Sequence, residues 1–370
     1  MKWNWQKPDW PHFKWDKARL SHAEEQFLLE AGVAIGTVKH LGAGEHAQLI
    51  VELMSTEAVT TSAIEGEILN RASVQSSIQR QLGLAPADKR RVKPAEQGIA
   101  EMMVDLYRSF SKPLSAEMLF GWHRMVTSGR KDLADIGKYR TSREPMQVVS
   151  GRIGAPKIHF EAPPSKRVPA EMKRFISWFN GTAPRGKNPL PAITRAGTAH
   201  LYFESIHPFE DGNGRVGRAI AEKAMTQSVG QPVLVSLATT ILAHQKNYYR
   251  ALEKANRQNE ITEWLVWFAE IALEAQRRSI AQVEFILTKV KLLDRLRGQI
   301  NERQQKALLR LFREGPEGFK GGLSAGNYST ITGSSPATTT RDLADLVEKD
   351  ALVRTGERKH ARYALKLTRG

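Results

Sequence analysis

Twelve consecutive residues, His207-Pro208-Phe209-Glu210-Asp211-Gly212-Asn213-Gly214-Arg215-Val216-Gly217-Arg218, concentrate the groups that phosphate chemistry needs. Gly212 and Gly214 let a backbone approach an anion closely. A helix starting near Asn213 would aim free N–H groups and its positive dipole end at phosphate oxygens. Arg215 and Arg218 are three residues apart, so they share a helical face and add two permanent cations. Asp211 supplies the hard oxygen that Mg2+ prefers when it also bridges phosphates. His207 titrates near neutrality and can take the proton from a hydroxyl attacking phosphorus, while metal and arginines hold the charge that develops on the phosphate oxygens. This composition points to a nucleotide.

Such a loop needs rigid supports, and the sequence places helical periodicity on both sides of it, over 196–206 and 215–228. Upstream, Phe27, Leu28, Ala31 and Ile35 recur at three- and four-residue spacings, and 49–69 has few breakers. Further helical patterns cover 172–179, 244–256 and 262–281, and a charged amphipathic helix continues over 281–300. Between 137 and 169 the pattern changes. Tyr139, Val148, Val149, Ile153, Ile158 and Phe160 flank the turn-prone Ser150-Gly151 and Gly154, which predicts a β-hairpin. Residues 1–15 hold Trp3, Trp5, Trp10 and Trp15, half of the 8 tryptophans; rings so costly to leave in water should dock on the body. His200 and His123 are expected to be structural.

The 370 residues allow two or three domains and a sizeable core, and 41% hydrophobic with 25% charged residues are globular proportions. With no cysteine there is no disulfide framework, thiolate metal site or cysteine nucleophile, which fits a reducing compartment such as the cytoplasm. No uncharged apolar run is long enough to span a bilayer, and the N-terminus lacks the apolar core of a secretory signal, so no membrane partner is expected. The net charge of +16 permits a polyanionic partner without specifying one.

The 207–218 run fits the HPFx(D/E)GNGRxxR signature at every fixed position, and the chain resembles the Fic (Fic/DOC) family. The resemblance implies a mainly α fold, a helical core with a small β-hairpin flap, that transfers AMP from ATP to a protein hydroxyl. It implies His207 as general base and Asp211 as Mg2+ ligand. Asn213 and the amides around Gly212 and Gly214 would hold the α-phosphate, Arg215 the adjacent phosphates and Arg218 the γ-phosphate. Tyr248, Tyr249 and Asn256 fall where the family places adenine contacts, and the hairpin resembles the flap that registers a target segment. Upstream, Thr61-Ser62-Ala63-Ile64-Glu65-Gly66 is similar to the family's inhibitory (S/T)xxxE(G/N) pattern. Glu65 would then bond Arg218 in place of the γ-phosphate and misalign ATP.

The C-terminal order of helix (303–314), turn and short helix (316–332), longer helix (335–349) and two strands (352–367) resembles a winged helix-turn-helix domain. Ser335, Thr338, Thr339, Thr340 and Arg341 would open its recognition helix, and Arg354, Arg358, Lys359, His360 and Arg362 would line the wing. Duplex DNA or a docking protein is its expected partner, although Asp342, Asp345, Glu348 and Asp350 would repel phosphates if they faced a groove. The expected domains are a Trp-rich accessory region with the inhibitory helix (1–95), the catalytic core (96–280), a helical linker (281–300) and the winged helix (301–370). A homodimer is expected from the family resemblance and the Trp-rich arm. The alternatives to AMP transfer are removal of AMP, transfer of another nucleotide-borne group, and an ATP-sensing DNA-binding regulator without turnover.

Overall fold

A computed structural model of the chain describes residues 2–39, 41–85, 92–152, 155–232, 235–315, 318–319 and 321–366. Ile153, Gly154, Pro316 and Leu367 lie outside them, as does the side chain of Lys359. The chain divides into two compact units, Met1–Gly36 with Ala47–Ser279, and Thr37–His46 with Ile280–Gly370. Among the described residues no helix is long and apolar enough to cross a membrane.

The first unit holds α1 (Ala18–Val38, in its larger part), α2 (Ala43–Ile64, from Ala47), α3 (Arg71–Gln81), α4 (Pro94–Ser109), α5 (Ala116–Val126), the strands β1 (Gln147–Arg152) and β2 (Ala155–Glu161), α6 (Val168–Gly181), α7 (Ala192–Ile206), α8 (Asn213–Val229), α9 (Leu237–Ala243), α10 (Gln245–Ala255) and the first half of α11 (Thr262–Arg295). At its centre are α7, buried along its whole length, and α8, buried over most of its own. The buried guanidinium of Arg195 ties them together, donating to the carbonyls of Ala224 on α8 (3.2 Å) and Phe179 on α6 (3.0 Å). Glu24 of α1 caps α7, accepting from the N–H groups of Ile193 (2.9 Å) and Thr194 (2.6 Å), which satisfies orphan donors at the positive end of the helix.

The tryptophan arm packs on this unit. Trp3, Trp5 and Trp10 are buried, and two indole N–H groups find acceptors: Trp5 the carbonyl of Glu161 (2.7 Å) and Trp10 the Glu171 carboxylate (3.0 Å). Burying indoles with their N–H satisfied removes them from water at little polar cost. Two expectations change in detail. The apolar face of α1 buries Leu20, Phe27 and Ala31 but leaves Leu28 half exposed. The hairpin starts at Gln147, not near Gly137, because Tyr139 wedges against Phe120 and Phe209 and Asp135 ties down Thr141.

The second unit contains the second half of α11, then α12 (Glu302–Phe312), α13 (Ala325–Thr332), α14 (Pro336–Glu348) and an antiparallel pair, β3 (Leu352–Thr355) and β4 (Arg362–Leu365). A bridge from Leu323 to Tyr363 adds a third short extended segment. Its own core gathers Phe285, Leu292, Leu308, Leu311, Tyr328, Leu343, Leu346 and Leu352. Three helices begin on side-chain caps, Asn301, Ser324 and Ser335, each accepting from the amide three residues on.

Candidate active site

The loop between α7 and α8 is fixed at both ends by left-handed backbone. His207 closes α7 at φ 49° and ψ 61°, its N–H bonded to the Phe203 carbonyl at 2.9 Å. Gly212 opens α8 at φ 79°, and a Cβ there would lie 2.9 Å from Val126. A non-glycine residue held left-handed, as His207 is, costs about 1–2 kcal/mol, so the surroundings must enforce it. Arg140 does so. This buried residue donates from Nε to the His207 carbonyl (2.8 Å) and from its backbone N–H to the Pro208 carbonyl (2.9 Å). Asn213 also works on the loop, its side chain accepting from the Phe209 N–H (2.9 Å) and donating to the Phe209 carbonyl (2.8 Å). These two bonds fix the Phe209 backbone within the loop.

His207 is mostly buried, and its Nδ1 lies 3.6 Å from the Glu204 carboxylate one turn back. Burial would raise the Glu204 carboxyl, but His207, His200 and Arg218 outweigh it and hold the group below the usual range. Asp211 is likewise lowered, burial being outweighed by the Gly212 N–H (2.6 Å) and the charges of Arg215 and Arg130. Arg130 bonds the Asp211 carboxylate directly. His123 stacks on Phe209 at 4.1 Å, accepts from the Gly137 N–H, and is pushed by burial down to about 4, so it stays neutral. His200 is buried against Tyr248, its Nε2 2.9 Å from the phenol oxygen. Both histidines are structural, as the sequence suggested.

The C-terminus of α2 meets this loop. Arg218 is buried, and donates from Nε to the Thr61 hydroxyl (2.8 Å) and from Nη2 to the Thr61 carbonyl (2.9 Å) and the Glu65 carboxylate (2.7 Å). A Cβ on Gly214 would lie only 2.2 Å from Glu65 Oε1, so glycine is what lets the carboxylate rest on the first turn of α8. Arg215, also buried, donates from Nη1 to Glu67 (2.8 Å) and to the Val126 carbonyl (3.0 Å). Sequence reasoning missed Arg130, Arg140, Glu204 and Glu67; only Glu204 carried a signal, sitting one helical turn before His207.

The residues present fit an anion. No side chain caps the N-terminus of α8, and two guanidinium N–H groups, Arg215 Nε and Arg218 Nη1, are buried without a partner. Of the loop carboxylates, Asp211 is bonded by Arg130 and Glu210 accepts from the Ala134 and Asp135 N–H groups, and no group of three or more His, Asp or Glu among the described residues could hold a metal. A cation here would take its remaining ligands from phosphate and water. Of the expected adenine contacts, Tyr249 is 44% exposed and donates to the Ile64 carbonyl at the end of α2 (3.1 Å). Tyr248 is buried on His200, and Asn256 is buried with its side chain accepting from Ser205 (3.0 Å). Both are packed inside the first unit.

Residues 113–225 match the Fic/DOC family, and residues 3–84, which include α1, α2 and Glu65, match a domain of unknown function (DUF4172). The chain carries a Fic/DOC domain. It is similar to protein adenylyltransferase fic-1 of Caenorhabditis elegans, 26% identical over 199 residues, which is 53% of this chain and 35% of that one. Protein adenylyltransferase Fic of Drosophila mojavensis is 32% identical over 85 residues, 23% of this chain and 15% of its own. The chain thus spans about a third or less of the length of these relatives. A crystal structure of a Fic family protein from Desulfovibrio desulfuricans G20 superposes with a TM-score of 0.51 at 22% identity, covering 93% of this chain and 95% of that one, a likeness of fold. The Fic domain match ends within α8, so it contains the whole His207 to Arg218 loop but not residues 61–66.

Proposed function

We propose that this chain transfers AMP from ATP to a Ser, Thr or Tyr hydroxyl of a target protein, and that Glu65 restrains it. The observation that carries the reading is the Glu65 carboxylate, 2.7 Å from Arg218 and seated on Gly214 at the start of α8, where helix dipole and guanidinium favour an anion. In the active state that place belongs to the γ-phosphate, with Arg215 on the adjacent phosphate and the first amides of α8 on the α-phosphate. His207 takes the proton of the attacking hydroxyl, its backbone held by Arg140 and its ring beside Glu204. The acceptor oxygen bonds the α-phosphorus as the bond to pyrophosphate breaks, so catalysis is positioning plus charge stabilisation. Mg2+ at Asp211 would neutralise charge on the phosphate oxygens. The reading places the reaction in the cytoplasm.

The test is incubation of wild type, Glu65→Gly and Glu65→Gly/His207→Ala with Mg2+ and ATP labelled at the α-phosphate, with candidate targets present. Protein-bound label of the mass of AMP is expected with Glu65→Gly and not with the double variant. Removal of AMP or transfer of another group would instead appear as a different mass change on the target.

For the second unit we propose a winged helix that docks on duplex DNA. Asp342 turns inward, bonded by Arg303 (3.0 Å), Tyr328 (3.0 Å) and Asn301 (3.2 Å), and Asp345 pairs with Lys349, while Thr340, Arg341, Arg354 and Arg358 are exposed. Asp342 is thereby withdrawn from a phosphate backbone and Asp345 is neutralised by Lys349, while Glu348 and Asp350 stay exposed, the latter paired with Lys366. An ATP-sensing regulator without turnover would bind duplex in step with ATP and keep doing so after His207→Ala.

A further inference from the structure

We infer that Glu67 is a second brake, holding Arg215 as Glu65 holds Arg218; this rests on the adenylyl-transfer reading above. The two carboxylates share one turn. Gly66, at φ 80°, is the left-handed residue that ends α2; its N–H bonds the Ala63 carbonyl (3.0 Å) and the Glu67 N–H bonds the Ser62 carbonyl (3.0 Å). These are the two bonds of a Schellman closure, which reverses the chain after Glu65 and returns the second residue along to the same face. Glu65 and Glu67 therefore reach two arginines that α8 spaces three apart.

The geometry of the second pair is that of a displaceable lid on an anion site. Arg215 is 6% exposed and Glu67 35%, with 2.8 Å between them. The guanidinium is fixed in the interior by the Val126 carbonyl, whereas the carboxylate comes from the solvent side and can return to water, leaving the buried Arg215 charge in need of another anion. Arg215 still has a buried N–H, at Nε, that no protein atom accepts, although Glu67 already satisfies Nη1. An arginine with one donor unfilled and another filled by a removable carboxylate is matched to a ligand carrying several oxygens, as a phosphate does. Glu65 obstructs only the terminal phosphate; Glu67 extends the obstruction inward, so the resting protein resists a nucleoside diphosphate as well as a triphosphate. Because one Schellman turn presents both carboxylates, any event that unwinds the end of α2 releases both arginines together.

The deciding measurement is calorimetric binding of ADP and ATP to wild type, Glu67→Gln, Glu67→Ala, Glu65→Gly and Glu65→Gly/Glu67→Gln, each shown folded by thermal melting. ADP lacks the phosphate that Glu65 replaces, so it separates the two brakes. Both Glu67 variants are expected to bind ADP about tenfold more tightly than wild type, the scale of one charge-assisted pair, while Glu65→Gly shifts ATP more than ADP. Unchanged ADP affinity in both Glu67 variants, alongside tighter ATP binding by Glu65→Gly, would overturn the second brake and leave the first standing. Failure of every variant, the double one included, to bind either nucleotide would instead bring down the nucleotide site and Glu67's role with it.

Discussion

The α2–α8 site and the C-terminal helical unit both place carboxylates beside arginines, and they use them in opposite ways. At the site, Glu65 and Glu67 sit on the guanidiniums a ligand would need, and Arg130 sits on the carboxylate a cation would need. Each of these charged loop groups is neutralised by a partner from another segment. In the C-terminal unit, Asp342 is held inward by Arg303 and Tyr328, Asp345 is bonded by Gln304 and Lys349, and Arg341, Arg354 and Arg358 make no ion pair among the described residues. In one region the arginines are covered by carboxylates, and in the other they are exposed. On the proposed reading, the difference teaches that the same ion-pair chemistry would serve as a switch where the carboxylate competes with a ligand, and as scaffolding where it bonds the domain's own core.

The comparison breaks first at His207. In a Glu65→Gly background His207→Ala should lower label transfer by about 10²–10⁴-fold, while Arg341→Ala leaves it unchanged; a loss with Arg341→Ala would show that the chemistry of one region depends on the other. Next, if the exposed basic residues meet phosphates, Arg354→Ala/Arg358→Ala should weaken duplex binding about tenfold near physiological salt and reduce the log-affinity slope against log salt by about 2. A salt-independent affinity would point to a protein partner for that surface. A smaller effect is expected of Gly66→Ala. The site has open space but a φ of 80°, so the added methyl costs about 1 kcal/mol, enough to raise AMP transfer by about fivefold through partial loosening of both carboxylates. Gly66→Asn, which tolerates the left-handed region, should stay near wild type.

The smallest effect concerns acid stability. The Asp342 carboxyl lies below its ordinary 3.8, since hydrogen bonds from Arg303, Tyr328 and Asn301 outweigh the opposing effect of burial. A folded-state value below the unfolded one means the contribution is full above the unfolded value and is lost as pH falls through the folded one. Asp342→Asn should therefore destabilise the C-terminal unit by about 1–2 kcal/mol at neutral pH and progressively less as the pH falls through the lowered Asp342 value, read from denaturant midpoints across pH. Equal destabilisation at both ends would show that packing, not charge, sets the role of Asp342.

Much of the site was legible in the chain itself. The helix start at Asn213, the two arginines on one face and the glycines that open the loop follow from residue type and spacing, because helix geometry is local. The end of α2 was less so: apolar residues continue to Leu69, but the helix stops at Ile64, since a left-handed Gly66 supplies a Schellman closure that periodicity does not register. Tyr248 and Asn256 show the limit from the other side. Their types suit a base, and only the structure adds their burial and their bonds to His200 and Ser205.

By itself the sequence determined which groups could do chemistry, that they lie on a loop between two helices, and that the protein is mainly helical with a basic surface. Only the tertiary structure decided which charges meet. Arg140 reaches His207 across 67 residues, Arg130 reaches Asp211 across 81, and Glu67 reaches Arg215 across 148. Local spacing fixes direction along a helix, but an ion pair between distant segments exists only where packing brings two faces together, and the packing depends on the whole core.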